Sequence, residues 1–286
     1  RKNSSSEVIE MMKVTFWGVR GSIPACGVEY TQFGGHTSCV QVQVDGQNII
    51  FDMGTGAQDL GHHILGQAPG TGILPLHILL SHYHLDHVNG LPFFGPLYQA
   101  RSNIAFYGMG PVEQRLTGFM GPPYFPVKIQ DTLSAKSFHK VVPKQPFWIT
   151  PKVKVTCHPL AHPGGCMAYR IDLIDKARSI IYLTDYEHDT KHTSVCEELA
   201  EFCKDVSLLI YDATYDQQQF AACKGFGHST WQAGVELALG SNAQQVAFFH
   251  HGPRCSDDLI HTRETMAKQV FPASFFARQG QGIQLS

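Results

Sequence analysis

The stretch Leu76-His77-Ile78-Leu79-Leu80-Ser81-His82-Tyr83-His84-Leu85-Asp86-His87 places four metal-binding side chains, His82, His84, Asp86 and His87, directly after an apolar run. Such a run reads as a buried strand, in which side chains two apart share a face. His82 and His84 are therefore expected on one side of the extended chain, and the turn beyond can swing Asp86 and His87 to a second locus. Imidazole nitrogen and carboxylate oxygen suit zinc, and also manganese or iron. A loop with two loci needs only a few distant ligands to close a binuclear site. An isolated His is usually satisfied by ordinary hydrogen bonds, but three with an Asp in this order have no cheap structural use.

Working outward, Lys13 to Val19 reads as a strand, and Cys39 to Asp45 alternates cleanly before Gly46 turns it into Asn48 to Asp52, an antiparallel opening sheet. Gly54-Thr55-Gly56 then leads into a helix near residues 57 to 65. The Gly-x-Gly is no dinucleotide fingerprint, because Asp59 stands where a third Gly belongs. Residues 91 to 146 are rich in Pro, Gly and aromatics and predict ordered loops and short helices packed over a site, with the aromatics mainly in the core. Strands follow at 152 to 156, 167 to 173, 179 to 184 and 206 to 211, and helices at 194 to 204, 230 to 239 and 257 to 269, the last capped by Ser256. Two sheets, each with helices outside, fit this order. There is no internal repeat.

The chain of 286 residues is 43% hydrophobic, enough for one large core, so residues 13–286 are expected to form a single domain. The opening Arg1-Lys2-Asn3-Ser4-Ser5-Ser6 reads as part of a polar tag or linker remnant over residues 1–12, with Met11 or Met12 as natural start and room for an upstream regulatory domain. With 22 basic against 24 acidic residues there is no electrostatic footprint for a long nucleic acid, while a small anionic substrate held by local groups stays open. The eight cysteines contain no C-x-x-C pair and read as reduced thiols of a cytoplasmic enzyme. No apolar window has the length of a membrane span, and no secretory leader is visible.

Further candidate ligands stand just past apolar runs, where side chains can converge on one edge of a sandwich. They are His162 in Leu160-Ala161-His162-Pro163-Gly164, Asp185 after Ile180-Ile181-Tyr182-Leu183-Thr184, and His250 after Val246-Ala247-Phe248-Phe249. Each alone is as much a capping or solvated residue as a ligand. Their weight comes from the set.

With these motifs the chain resembles the metallo-β-lactamase superfamily, in the metal-dependent phosphodiesterase branch related to ribonuclease Z. The resemblance runs through Phe51-Asp52-Met53-Gly54, the H-x-H-x-D-H run, His162-Pro163-Gly164, Thr184-Asp185 and Phe249-His250-His251-Gly252-Pro253, covering nearly the whole chain. It implies an α/β fold, an αββα sandwich of two mixed sheets with helices on the outer faces and metals at the shared edge. It implies one metal held by His82, His84 and His162, a second by Asp86, His87 and His250, and Asp185 bridging them. His250 is preferred to His251 because Pro253 stands three residues on. His158 is the rival of His162, and Asp52 is expected to orient the ligand loop without ligating.

Those ligands are common to lactam, thioester and phosphodiester hydrolysis, and a second constellation separates the chemistries. Asp212-Ala213-Thr214 and Gly227-His228-Ser229-Thr230 resemble the paired Glu-Ala-Thr and His-Ser-Thr motifs of ribonuclease-Z-like enzymes. Breaking a P–O bond leaves an alkoxide that a positioned imidazolium can protonate. His228 is accordingly expected as general acid, kept charged by Asp212, which stands where ribonuclease Z carries Glu and has a shorter arm. The plain structural alternative is that His228 or Ser229 caps the helix opening at Thr230. Asp86 completes the expected catalytic set. Two divalent metals, zinc before manganese or iron, would share a hydroxide that attacks phosphorus. Gly34-Gly35-His36-Thr37-Ser38-Cys39 could supply backbone donors or His36 to the phosphate or base.

The leading expectation is hydrolysis of a cyclic nucleotide. The segments Phe16 to Pro24 and Gly121 to Pro126 resemble bacterial members near the cyclic-nucleotide phosphodiesterases. A ribonuclease-Z-like nuclease is the alternative, against which stand the slightly negative charge and the lack of a long Gly-rich basic arm. A thioester or lactam hydrolase, or a sensor module with weak activity, completes the field. The resemblance also implies a homodimer.

Overall fold

The computed structural model describes residues 12–67, 70, 72–188 and 193–285; most of the expected polar remnant, residues 1–11, lies outside the described residues. In chain order the strands are β1 (Met12–Gly18), β2 (Cys39–Val44), β3 (Gln47–Phe51), β4 (Leu74–Leu79), β5 (Ser102–Gly108), β6 (Ala135–Lys140) and β7 (Phe147–Trp148). There follow β8 (Val153–Leu160), β9 (Cys166–Leu173), β10 (Arg178–Leu183), β11 (Leu208–Asp212), β12 (Val246–Phe249), β13 (Ser274–Phe276) and β14 (Gly282–Leu285). The α-helices are α1 (Ala57–Gln67), α2 (Leu85–Val88), α3 (Val112–Phe119), α4 (Thr193–Cys203), α5 (Gln217–Phe220), α6 (Trp231–Gly240) and α7 (Asp257–Val270).

The strands form two seven-stranded sheets, ordered β14-β1-β2-β3-β4-β5-β6 and β13-β12-β11-β10-β9-β8-β7. Period-two alternation explains why they stack. Ile49 and Phe51 of β3 face the layer between the sheets while Ile50 faces outward, and Ile180 and Tyr182 of β10 do the same against Ile181 and Leu183. Phe51 and Tyr182 stack across that layer at 4.7 Å between ring centroids. Outside the first sheet, Leu60 and Ile64 of α1 and Leu116 of α3 cover Ile50, Ile78 and Phe106. Outside the second, Leu199 of α4, Val235 of α6 and Ile260 of α7 cover Ile181, Leu209 and Phe248. This is the αββα sandwich.

Ser256 caps α7 by accepting the Leu259 amide. Thr230, not His228 or Ser229, caps α6, accepting from Ala233. One expectation needs correction. The 91–146 segment holds β5 and β6 as well as α3, and its Leu91, Phe94, Leu97 and Ile129 pack on the outer face of the first sheet and not over a site. Gly- and Pro-rich flanks hid the short alternation Ile104-Ala105-Phe106. The strand before the His run ends at Leu79, His82 and His84 lie in the irregular stretch beyond it with His84 still extended, and Asp86 and His87 are carried by α2 to the second locus. Cys26, Cys39, Cys157, Cys166, Cys203, Cys223 and Cys255 are free thiols.

Strands β3, β4 and β5 run parallel, as do β10, β11 and β12, and β8 runs in the direction of β10 because each is antiparallel to β9. Every candidate ligand follows the carboxyl end of one of these strands. Loops at that end are where open α/β sheets place ligands.

Candidate metal centre

Asp52, the first residue after β3, organises the ligand loop. Its Oδ1 accepts the Ser81 amide at 2.7 Å, and its Oδ2 accepts the Ser81 hydroxyl at 2.7 Å, the Tyr182 hydroxyl at 2.8 Å and His87 Nδ1–H at 2.7 Å. Backbone bonds from Met53 to the His87 carbonyl and from Met167 to the Ser81 carbonyl tie the loop to both sheets. Asp52, Asp185 and His250 all adopt positive φ, at 58°, 54° and 60°. A non-glycine residue there costs about 1–2 kcal/mol, strain of the kind that gathers where side chains must be aimed at a site.

Two groups of ligand atoms meet at the sandwich rim. His82, His84 and His162 form one, and Asp86, His87 and His250 the other, with the atoms of each within 4.8 Å of one another. In the first, His84 Nδ1 faces His162 Nε2 at 3.0 Å. In the second, His87 Nε2 lies 3.3 Å from His250 Nε2, and both nitrogens are 3.2 Å from Asp86 Oδ2. Asp185 stands between the groups. Its Oδ1 is 3.7 Å from His82 Nε2 and from His162 Nε2, while its Oδ2 is 3.1 Å from His87 Nε2 and 3.4 Å from His250 Nε2.

The hydrogen bonds behind these rings set their tautomers. His162 Nδ1–H donates to the Gly227 carbonyl at 2.7 Å, and His87 Nδ1–H to Asp52. The Thr214 hydroxyl, 2.7 Å from Asp212 Oδ1, donates there and accepts from His250 Nδ1–H at 2.9 Å. Ser81 Oγ, donating to Asp52, likewise accepts from His82 at 3.0 Å. Nε2 of His82, His87, His162 and His250 is thus turned inward, His84 presents Nδ1 instead, and His82 Nε2 is buried without a hydrogen-bond partner. Converging lone pairs and carboxylate oxygens at these distances fit divalent cations. Burial and the neighbouring His87 hold His82 well below the usual imidazole pKa, in the neutral form that ligates. Burial also opposes charge on His87, but Asp86, Asp185 and Asp52 outweigh it and raise its pKa well above the usual value. Asp185, though buried, is held ionised by His250, His87 and His82.

Beside the clusters, His228 Nδ1 lies 2.9 Å from Asp212 Oδ2 and 3.7 Å from Asp185 Oδ1. Burial works against its charge, but Asp212 and then Asp185 raise its pKa to about 9, so the ring is protonated at neutral pH. A donor in that state beside a prospective metal site can protonate a leaving group. The shorter Asp212 side chain reaches the ring without difficulty.

The rivals fall elsewhere. His158 bonds the Pro159 carbonyl and packs on Phe202 at 5.3 Å, away from the clusters. His251 bonds the Ala277 carbonyl at 2.9 Å, and burial together with Arg20 lowers its pKa to about 3. The Gly34–Cys39 segment offers fewer donors than expected. The amides of Gly34, Gly35, His36 and Thr37 are consumed by Tyr30, Gln279 and Thr55, and His36 Nδ1 is 3.0 Å from Thr55 Oγ1. The sequence reading missed the Ser22 amide, which donates to Asp86 Oδ2 at 2.7 Å, and the Thr214 hydroxyl behind His250. It also missed Gly21, where a Cβ would lie 2.1 Å from the His250 ring. Backbone amides and absent side chains leave no local pattern to find.

This sandwich with paired His and Asp clusters on its rim is the architecture of metallo-β-lactamase-fold hydrolases of the ribonuclease Z-related branch. Residues 47–251 match the family model of the beta-lactamase superfamily domain, and the chain belongs to that family. Ribonuclease Z of Haloarcula marismortui is 23% identical, over 87% of this chain and 90% of that protein. The metallo-beta-lactamase fold protein YhfI from Bacillus subtilis shares the fold with a TM-score of 0.71 at 19% identity, covering 96% of this chain and 100% of that one. The short form of human tRNase Z gives 0.69 at 20% identity, covering 95% and 98%. No helix among the described residues is long and apolar enough to cross a membrane.

Proposed function

We propose that the protein is a metal-dependent phosphodiesterase that hydrolyses a small diester, with a cyclic nucleotide as the leading substrate and a homodimer as the working form. The observation that carries this reading is the His228–Asp212 pair, 2.9 Å apart, beside the two ligand clusters. Lactam and thioester cleavage do not require that pair, whereas an alkoxide leaving group does call for a proton donor. In this reading His82, His84 and His162 hold one divalent cation, Asp86, His87 and His250 hold the other, and Asp185 serves both. When bound, such a pair of cations supplies charge stabilisation at phosphorus and an activated water.

The protein's own groups do the rest. Asp52, Ser81 and Thr214 fix the tautomers, so that no ligand ring needs to reorient. The Ser22 amide steadies Asp86 for its part in positioning the attacking water. Asp212 keeps His228 in the imidazolium form, and His228 gives its proton to the departing oxygen. Zinc is the first expectation for the cation, with manganese or iron suited to the same donors.

A second reading, cleavage of RNA, is favoured by the similarity to ribonuclease Z over most of the chain. The formal charge of −2 stands against a long nucleic-acid partner. One panel separates them: cyclic mononucleotides, cyclic dinucleotides, short RNA and bis(p-nitrophenyl) phosphate, each with zinc and with manganese. Turnover of a cyclic nucleotide is expected. Preferential cleavage of RNA would select the second reading, and a fully metal-loaded protein that cleaves no diester would remove both.

A further inference from the structure

Gly225-Phe226-Gly227 precedes His228 directly and is built to hold a phenyl ring in solvent. The Glu187 carboxylate accepts the Gly225 amide at 2.7 and 2.8 Å and the Gly227 amide at 2.8 Å, while its own amide donates to Ala161. Both glycines take positive φ, +93° and +83°, which suits them to this tight course. A Cβ on Gly227 would lie 2.2 Å from His162 Nδ1, the nitrogen that its carbonyl accepts from. The loop is therefore locked to Glu187 on one side and to His162 on the other.

Phe226 at the tip is 63% exposed and makes no ring contact with any described residue. Phe93, similarly exposed, leans on Phe125 at 5.7 Å. A single exposed apolar side chain is ordinary on a surface. One carried on a backbone pinned at both neighbours, two residues ahead of His228 beside the ligand clusters, is a prepared contact, because the loop that bears it loses little freedom on binding.

We propose that Phe226 is the platform on which the flat base of the substrate's leaving group stacks, which makes it a specificity-determining residue for nucleobase-bearing phosphodiesters. The inference rests on the phosphodiesterase reading. In that reading the leaving oxygen departs toward His228, and the group it carries then lies beside the Gly225–Gly227 loop, whose Gly227 is held against His162. Base-on-aromatic stacking contributes about tenfold or more in affinity.

Adenosine 5′-monophosphate and ribose 5-phosphate present the same phosphate with and without a base. Calorimetry on the metal-loaded protein should show Phe226→Ala binding adenosine 5′-monophosphate about tenfold more weakly, with ribose 5-phosphate unchanged and Phe226→Trp restoring affinity. With a cyclic purine nucleotide, KM should rise by a similar factor at constant kcat. Equal weakening of both ligands would make the ring a support of the loop. No change in either would put the base elsewhere, for instance in the cavity of about 470 Å³ bounded by Tyr215 and Arg254. Either result overturns the proposal, as does failure of the wild type to bind adenosine 5′-monophosphate at millimolar concentration. Calorimetry needs no turnover, so base binding through Phe226 without diester cleavage would defeat the hydrolysis reading and leave the platform standing.

Discussion

His228 holds its Nδ1 2.9 Å from Oδ2 of Asp212, a carboxylate with no exposure to solvent. In that setting the imidazole carries a proton at neutral pH, and the hydroxyl of Thr214 links the same carboxylate to His250. The proposed proton donor and a proposed ligand ring thus share one anchor.

Replacing His228 by Ala should leave the metal content unchanged. Activity toward diesters with alkoxide leaving groups should fall about 10²- to 10⁴-fold, and p-nitrophenolate, which needs no proton, should be released with a smaller loss. Metal analysis alongside both substrates checks this. Loss of metal would make His228 a ligand.

Asp185→Asn removes the carboxylate that, among the described residues, faces both clusters. Bound metal should drop from about two per chain to one or fewer. The kcat should fall roughly 10³-fold, the scale of several kcal/mol of lost charge stabilisation. Stoichiometry by elemental analysis decides, and two tightly held metals in the variant would refute the bridging role.

Exchanging each of the adjacent histidines for Ala should give opposite results. His250→Ala should lose metal and activity. His251→Ala should keep its metal and instead unfold more easily by about 1–3 kcal/mol, because the Ala277 carbonyl loses its partner in the core. Urea melts and metal content, measured on both variants, are sufficient.

Asp52→Asn should weaken metal affinity about 10- to 100-fold without abolishing the fold, as expected for a group that acts through the rings it orients. Competition with a chelator gives the affinity. An unchanged affinity would show that the Ser81 and Tyr182 contacts alone position the loop.

Glu264 on α7 accepts from Arg278 Nη2 at 2.8 Å and from the Phe276 amide at 3.1 Å. Burial opposes its ionisation, but Arg278 and that amide outweigh it and hold the pKa below the usual 4.5. A depressed carboxylate contributes stability that is complete above its unfolded pKa and is lost as pH falls through the folded one. Wild type should therefore exceed Glu264→Gln by about 1–3 kcal/mol at neutral pH, and the gap should close as the solution is acidified below 4.5. Urea unfolding at several pH values tests this, and a constant gap would count against it.

Much of this is legible in the sequence. The alternation of β2 and β3, the apolar run into the His-rich stretch, and the placement of His162, Asp185 and His250 after strands are local patterns, repeating every two residues or ending at a strand terminus. The segment from 91 to 146 was not legible, because β5 and β6 are short and lie among Pro, Gly and aromatic residues that suggest loops. The helix cap at Thr230 was ambiguous by one or two residues, and only the bond to Ala233 settles it.

By itself the sequence determined which chemistry was available: nitrogen and oxygen donors just past apolar strands, with an Asp and a His proposed for proton transfer. Tertiary structure alone decided which neighbour of a pair turns inward. At positive φ, His250 points its ring at Asp86 while His251, one residue on, turns back to Ala277. It also decided that the amide of Ser22 and the hydroxyl of Thr214 would steady the site. Ligand types are properties of single residues. The aim of a ring and the partner behind it depend on segments far apart in the chain being packed against each other, and no local pattern records that.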